Sequence, residues 1–300
     1  METSIPSKGL RGAMQAHPLF FFVLIAHAFS WILVTPYVLS QWGILHGDYR
    51  IAFVIKSFGP FLAAFIMTGI TDGKEGVLRL RQSLRQVGAG WQWYLMILLG
   101  IPALFLLGIA ILPGALASFQ GFPPHFLITY LVTFVLIFFG GGPLGEEPGW
   151  RGFALPRLQP RHGPLKGTLL LGIIWVFWHL PDFLTDAQRG GPGMTFASFL
   201  TNLSIFFVMV MSMAVIFTWV FNHTGESLFI AILLHASINT FSIVVVLFAA
   251  PIATSTDLPI LIGVLVPALL IVILTRGRLG YKPRQELHFA SDDIKTQPML

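Results

Sequence analysis

Long apolar runs separated by short polar stretches dominate the chain. The runs are continuous rather than alternating, which predicts transmembrane helices and not the strands of a barrel. The first extends from about Leu19 to Ser40. Ala26-His27-Ala28 inside it resembles a signal-peptide cleavage site, but the run continues to Leu39. That is too long for an apolar region of about 7–15 residues, so it reads as a retained span. A second span covers about Ile51 to Ile70, with Lys56 placed to snorkel toward the interface. In residues 71–90, Val77, Leu80, Leu84 and Val87 step by three and four among four basic residues, the pattern of a short interfacial amphipathic helix. A third span follows from about Trp91 to Leu112, opened by the aromatic belt Trp91, Trp93 and Tyr94. The fourth, about His125 to Phe139, is ended by Gly140-Gly141-Gly142-Pro143. Four more runs fall at about 167–183, 195–221, 228–249 and 258–275. The expectation is an all-α, polytopic transmembrane helix bundle of about eight spans. It has one membrane domain (19–275, with a motif-bearing core at 126–246), an N-terminal segment (1–18) and a polar tail (276–300).

Composition agrees: 55% of residues are hydrophobic and 10% charged, against about 25% charged in soluble domains. The net charge of +5 is no nucleic-acid footprint, because the basic residues sit in loops beside spans. Eight spans put both termini on one side. Fifteen of the eighteen lysines and arginines then fall on that side, leaving only Arg50, Lys56 and Arg189 on the other. The positive-inside rule makes that side cytoplasmic and places the region after the fourth span there too. Cysteine is absent, which removes disulfides, thiolate ligands and cysteine nucleophiles together.

Chemistry concentrates in Gly145-Glu146-Glu147-Pro148-Gly149-Trp150-Arg151. Ionisable groups at membrane depth are costly and imply function. On a helix Glu147 and Arg151 share a face and can pair. Glu146 is rotated by about 100° from Glu147, so one arginine cannot serve both. One carboxylate reads as structural and the other as free to work. No G-x-S-x-G or H-E-x-x-H sequence is present, and the aspartates lie in loops, at span ends or in the tail. What remains at membrane depth is Glu146, Glu147, His179 near the end of the fifth run, and His235 with Asn239, four apart on one face of the seventh.

These residues resemble the motifs of the CPBP intramembrane proteases, the group that includes the CAAX prenyl endopeptidases and Abi proteins. E-E-x-x-x-R is met by Glu146 to Arg151. F-x-x-x-H is met at His179 with Trp175 in place of the phenylalanine. H-x-x-x-N is met by His235 to Asn239. The resemblance implies an integral protein of a bacterial plasma membrane, with lipid around it and a peptide or protein as substrate. It implies Glu146 as general base, His179 as its partner in activating a water, and His235 and Asn239 as oxyanion donors. Glu147 paired to Arg151 would keep Glu146 pointed inward. A carboxyl in a low-dielectric site suits acid/base work near neutral pH.

The expected function is therefore endopeptidase cleavage of a segment presented from the cytoplasmic side. The alternative is a transporter or immunity scaffold that uses the same polar core to bind. Glu146, His179 and His235 also have the types of a zinc site with an open water position. No cofactor is the favoured expectation, because the seventh run offers His235 no carboxylate to steady it. One tension stands. Glu146 follows the fourth span directly, whereas His179 is thirteen residues past Lys166, about 20 Å of helix. The expected resolution is that the glycine break lets residues 145–158 fold back as a separate helix.

Overall fold

The computed structural model describes residues 9–140, 142–188, 190–249 and 257–283. The first eight residues, Arg189 and the tail beyond residue 283 lie outside the described residues. The chain starts with α1 (Leu10–Ala16) and α2 (Pro18–Gln41), then α3 (Arg50–Ile55), α4 (Gly59–Thr71) and α5 (Gly73–Leu84). Next come α6 (Trp91–Leu95) and α7 (Ile101–Ala110), then α8 (Phe126–Gly140), α9 (Gly142–Gly149), α10 (Leu155–His162) and α11 (Pro164–Trp178). The last three are α12 (Phe196–His223), α13 (Leu228–Thr240) and α14 (Asp257–Thr275). Among the described residues the only β feature is an isolated bridge between Phe119 and Phe248. Six stretches are long and apolar enough to cross a membrane, and two shorter apolar helices, Leu228–Val244 and Ile260–Thr275, accompany them. The all-α polytopic architecture follows directly from the apolar pattern.

The expected fold-back of residues 145–158 takes a different form. Helical structure resumes at Gly142, widens into a π-turn at Trp150–Ala154 and continues to His162. The true reversal is at Gly163, whose φ of 80° suits glycine, with Pro164 opening α11. From there α11 runs back along α10 and α9. Gly167 meets the Leu158 backbone so closely that a Cβ would lie 2.9 Å from its carbonyl, and Trp175 reaches Glu146. Residues 142–152 also run antiparallel to α13: Gly142 faces Asn239, Glu147 faces His235 and Gly152 faces Leu228.

Small residues set the third contact of α9. A Cβ at Gly145 would come within 2.4 Å of the Ser57 backbone, and one at Gly149 within 2.4 Å of Pro60. Glycines four apart thus let α9 lie directly on the start of α4, the close approach on which helix packing in lipid depends.

One end of the bundle is basic. Arg157 pairs with Asp72, Ser83 and Gln86 bond to the 224–228 turn, and Asn222 bonds to the Leu279 carbonyl. Those contacts gather α5, the Gly163 reversal, the turn before α13 and the segment after α14. Arg151, counted with the loops from the sequence, is instead fully buried in the core.

Candidate active site

The two adjacent glutamates part company on α9. Glu147 is fully buried and receives Arg151 Nη1 at 3.1 Å, one turn on. The guanidinium also lies over the rings of Trp175 and Phe217, at 4.5 and 4.3 Å. Its charge is thus matched by a carboxylate and two aromatic faces, as a buried arginine requires. Glu146, 4% exposed, turns away from this pair. Its Oε2 accepts two indole N–H groups, Trp175 Nε1 at 2.7 Å and Trp150 Nε1 at 3.3 Å. The tryptophan standing where the family motif has phenylalanine therefore adds a donor that phenylalanine lacks. Both indoles hold one carboxylate oxygen and leave the other, Oε1, free to face elsewhere.

Oε1 faces Gly142. A Cβ built on that glycine would sit 3.0 Å from Glu146 Oε1, 3.3 Å from Asn239 Nδ2 and 3.7 Å from His235 Nε2. An acceptor and two amide- or imidazole-type nitrogens thus converge on one point that only the missing side chain keeps open. His235 is steadied from behind: its Nδ1 lies 2.7 Å from Glu147 Oε1, and its ring is edge-on to Trp175 and Phe217. An ionised carboxylate only accepts, so Nδ1 carries the proton and Nε2 points at the shared space. This corrects the expectation that His235 lacks a carboxylate: α13 offers none, but α9 brings Glu147 against it. The same Glu147 serves Arg151 and His235 together.

His179 reaches the site from the end of α11. Its Nδ1 lies 2.8 Å from Asp182 Oδ2, and Asp182 in turn receives Lys56 Nζ at 2.6 Å. Lys56 and Asp182 are 3% and 1% exposed, and Lys56 Nζ rests 4.3 Å above the Trp178 ring. Lys56 therefore does not snorkel. It sits one turn into its span rather than at the edge, with a buried aspartate as its partner. Sequence reasoning missed this Lys56–Asp182–His179 line. A lysine inside an apolar run, together with an aspartate three residues after a membrane histidine, was the available signal. Gly142 was also missed, since it read only as part of a helix break.

Glu146, His179, His235 and Asn239 all line one cavity of about 290 Å³. His179 is not among the three atoms nearest the Gly142 point. Phe206, Met209, Val210 and Met213 of α12 form the apolar wall, and Gln188 and Ser242 also border the cavity. Among the described residues no three His, Asp or Glu side chains are gathered as a metal site needs, so no step is derived through a metal.

Fold and cavity define a polytopic helical membrane protein with a buried carboxylate–imidazole–amide cluster. Residues 124–241 match the family model of the type II CAAX prenyl endopeptidase, Rce1-like. CAAX prenyl protease 2 of Methanococcus maripaludis is 31% identical over 162 residues, 48% of this chain and 53% of that protein. The chain thus spans about half the length of the curated relative it matches. The segment that carries the cluster is thus similar to the CAAX prenyl proteases.

Proposed function

We propose that the protein is an intramembrane endopeptidase that hydrolyses a peptide bond with a water activated by Glu146. The observation that carries this reading is the open point beside Gly142, bordered by one free carboxylate oxygen, an amide nitrogen and an imidazole nitrogen. A water or a scissile carbonyl there meets a base and an oxyanion site at once, as acyl transfer to water requires.

Glu146 Oε1 takes a proton from the water, and the hydroxide attacks the carbonyl carbon. The carbonyl oxygen becomes an oxyanion, held by Asn239 Nδ2–H and His235 Nε2–H. The protonated Glu146 then gives its proton to the amide nitrogen, the C–N bond breaks, and a carboxylic acid and an amine leave, the acid passing its proton to the amine or to solvent. In the oxyanion role His235 donates from Nε2, while Glu147 Oε1 faces its Nδ1 from behind and also receives Arg151. His179, with Nδ1–H directed at Asp182, presents the Nε2 lone pair to the cavity and orients the water. Asp182 accepts from Lys56 Nζ and faces His179 Nδ1, which fixes the orientation of the imidazole.

Both termini are proposed to be cytoplasmic, supported by the basic residues of the described segments. The substrate is a peptide or protein segment. A prenylated tail is the form of substrate that the name of the archaeal relative points to. The test compares membranes from cells expressing wild type or Glu146→Gln at equal protein levels, counting peptide termini by mass spectrometry. New termini with wild type alone support cleavage. Identical termini in the two samples sink the proposal.

A further inference from the structure

The basic end of the bundle and the cavity lie on opposite sides of the same helices. Gly163 joins α10 to α11 at the basic end, and Arg157, Arg161 and Lys166 flank it. Counting from that reversal, Glu146 lies seventeen residues back and His179 sixteen forward. At 1.5 Å per residue each is about 25 Å away along the helix. On α12, Phe206 touches the His179 ring, while His223 marks the basic end seventeen residues later, again about 25 Å. The hydrocarbon core of a bilayer is about 30 Å thick. The cavity therefore occupies the half of the membrane away from the basic face.

On the basic side a second cavity of about 290 Å³, lined among others by Arg79, Gln86 and Arg157, reaches Gly152 and Leu228 but shares no lining residue with the Glu146 cavity. Between Glu146 and the Gly163 reversal, Glu147, Trp150, Arg151, Phe153, Ala154 and Leu155 are all 0% exposed. On α12, Phe217, Val220 and Phe221 complete the plug at 0–2%. No residue of α5, of α10 or of the 219–228 stretch lines the cavity. At the other end it is bordered by Gln188, from the loop after His179, and by exposed Ser242, one residue beyond the end turn of α13.

Positive residues mark the cytoplasmic face. We infer that the cavity is entered from the extracytoplasmic side, and that the peptide cut there comes from that side or from the outer half of the bilayer. This rests on the endopeptidase reading for its chemistry, but not for its geometry. The wall of Phe206, Met209, Val210 and Met213 suits a segment with apolar side chains, methionine adapting to varied shapes. A tail presented from the cytoplasm would have to pass the buried layer of Glu147, Trp150 and Arg151, about 9 Å of helix between Gly152 and Glu146, to reach the carboxylate. That reverses the side of entry expected from the sequence, where Glu146 was placed beside the basic loop.

The protein has no cysteine, so single-cysteine labelling needs no background removed. Ala187→Cys and Ser242→Cys report the cavity end, and Arg161→Cys and Arg278→Cys the basic end. All four positions are exposed. Intact cells are treated with a membrane-impermeant maleimide, then permeabilised and treated again. The expected result is labelling of 187 and 242 in intact cells, and of 161 and 278 only after permeabilisation. Labelling of 161 or 278 in intact cells overturns the inference, as does labelling of 187 without 242. Labelling does not depend on cleavage, so its outcome stands apart from that of the Glu146→Gln comparison. As a second arm, maleimide at 242 should block cleavage in intact cells by at least tenfold, and unchanged cleavage there counts against entry by this route.

Discussion

Replacing Gly142 with alanine separates catalysis from stability. The added methyl carbon falls 3.0 Å from Glu146 Oε1 and 3.3 Å from Asn239 Nδ2. Ordinary carbon contacts lie near 3.5–4.0 Å, so both side chains must shift by a few tenths of an ångström, and the space between them is filled. Gly142 is helical, so alanine is compatible with the backbone. In a helix, glycine to alanine contributes about 0.4–1 kcal/mol in favour of the folded state. Against that, a misplacement of about 1 Å at a reacting centre costs on the order of 10²-fold in rate. Gly142→Ala is therefore expected to lose at least about 10²-fold in cleavage while its thermal midpoint holds or rises. Gly140→Ala is the control: a Cβ there meets nothing within 4 Å, and activity should stay within about twofold. The assay is cleavage by purified protein, with melting curves of the same samples. A Gly142→Ala protein that keeps wild-type turnover refutes the assignment of this point as the reaction centre.

Other substitutions test the supports. Glu147→Gln leaves Arg151 with an uncompensated buried charge and should destabilise the fold by about 3–5 kcal/mol, read from thermal unfolding. Pairing it with Arg151→Met should recover much of that loss without restoring activity. Lys56→Met strands Asp182 and should lower both stability and turnover, whereas Lys56→Arg keeps the charge and should retain part of each. An unaltered rate in Lys56→Met would detach the Lys56–Asp182–His179 line from catalysis. Asn239→Ala removes an oxyanion donor and should lower kcat by roughly 10²–10³ with little change in KM. A rise in KM at constant kcat would make Asn239 a substrate contact instead.

The bundle was legible because lipid imposes one strong rule: backbone polar groups must pair within a helix, so apolar length alone marks the elements. The Glu147–Arg151 contact was legible for a local reason, since helical spacing fixes which side chains share a face. What the spacing could not show was tertiary. Glu147 serves His235 eighty-eight positions away, and Lys56 reaches Asp182 across one hundred and twenty-six. Neither pairing follows from periodicity. The depth of Glu146 was misjudged because Gly140-Gly141-Gly142-Pro143 looked like a span end, whereas helix resumes at Gly142 and reverses only at Gly163. The glycines at 145 and 149 serve close packing against Ser57 and Pro60, a tertiary contact that no local pattern signals.

The central claim is that Glu146 activates the attacking water. Its most direct test is the turnover of purified wild type and Glu146→Gln on one cleaved peptide, with the metal content of each sample measured and melting curves matched. The account predicts a fall of roughly 10²–10⁴ in kcat for the variant at unchanged stability, with wild-type turnover surviving chelation. Turnover of Glu146→Gln within tenfold of wild type would contradict it, as would stoichiometric zinc whose removal abolishes wild-type cleavage and whose return restores it.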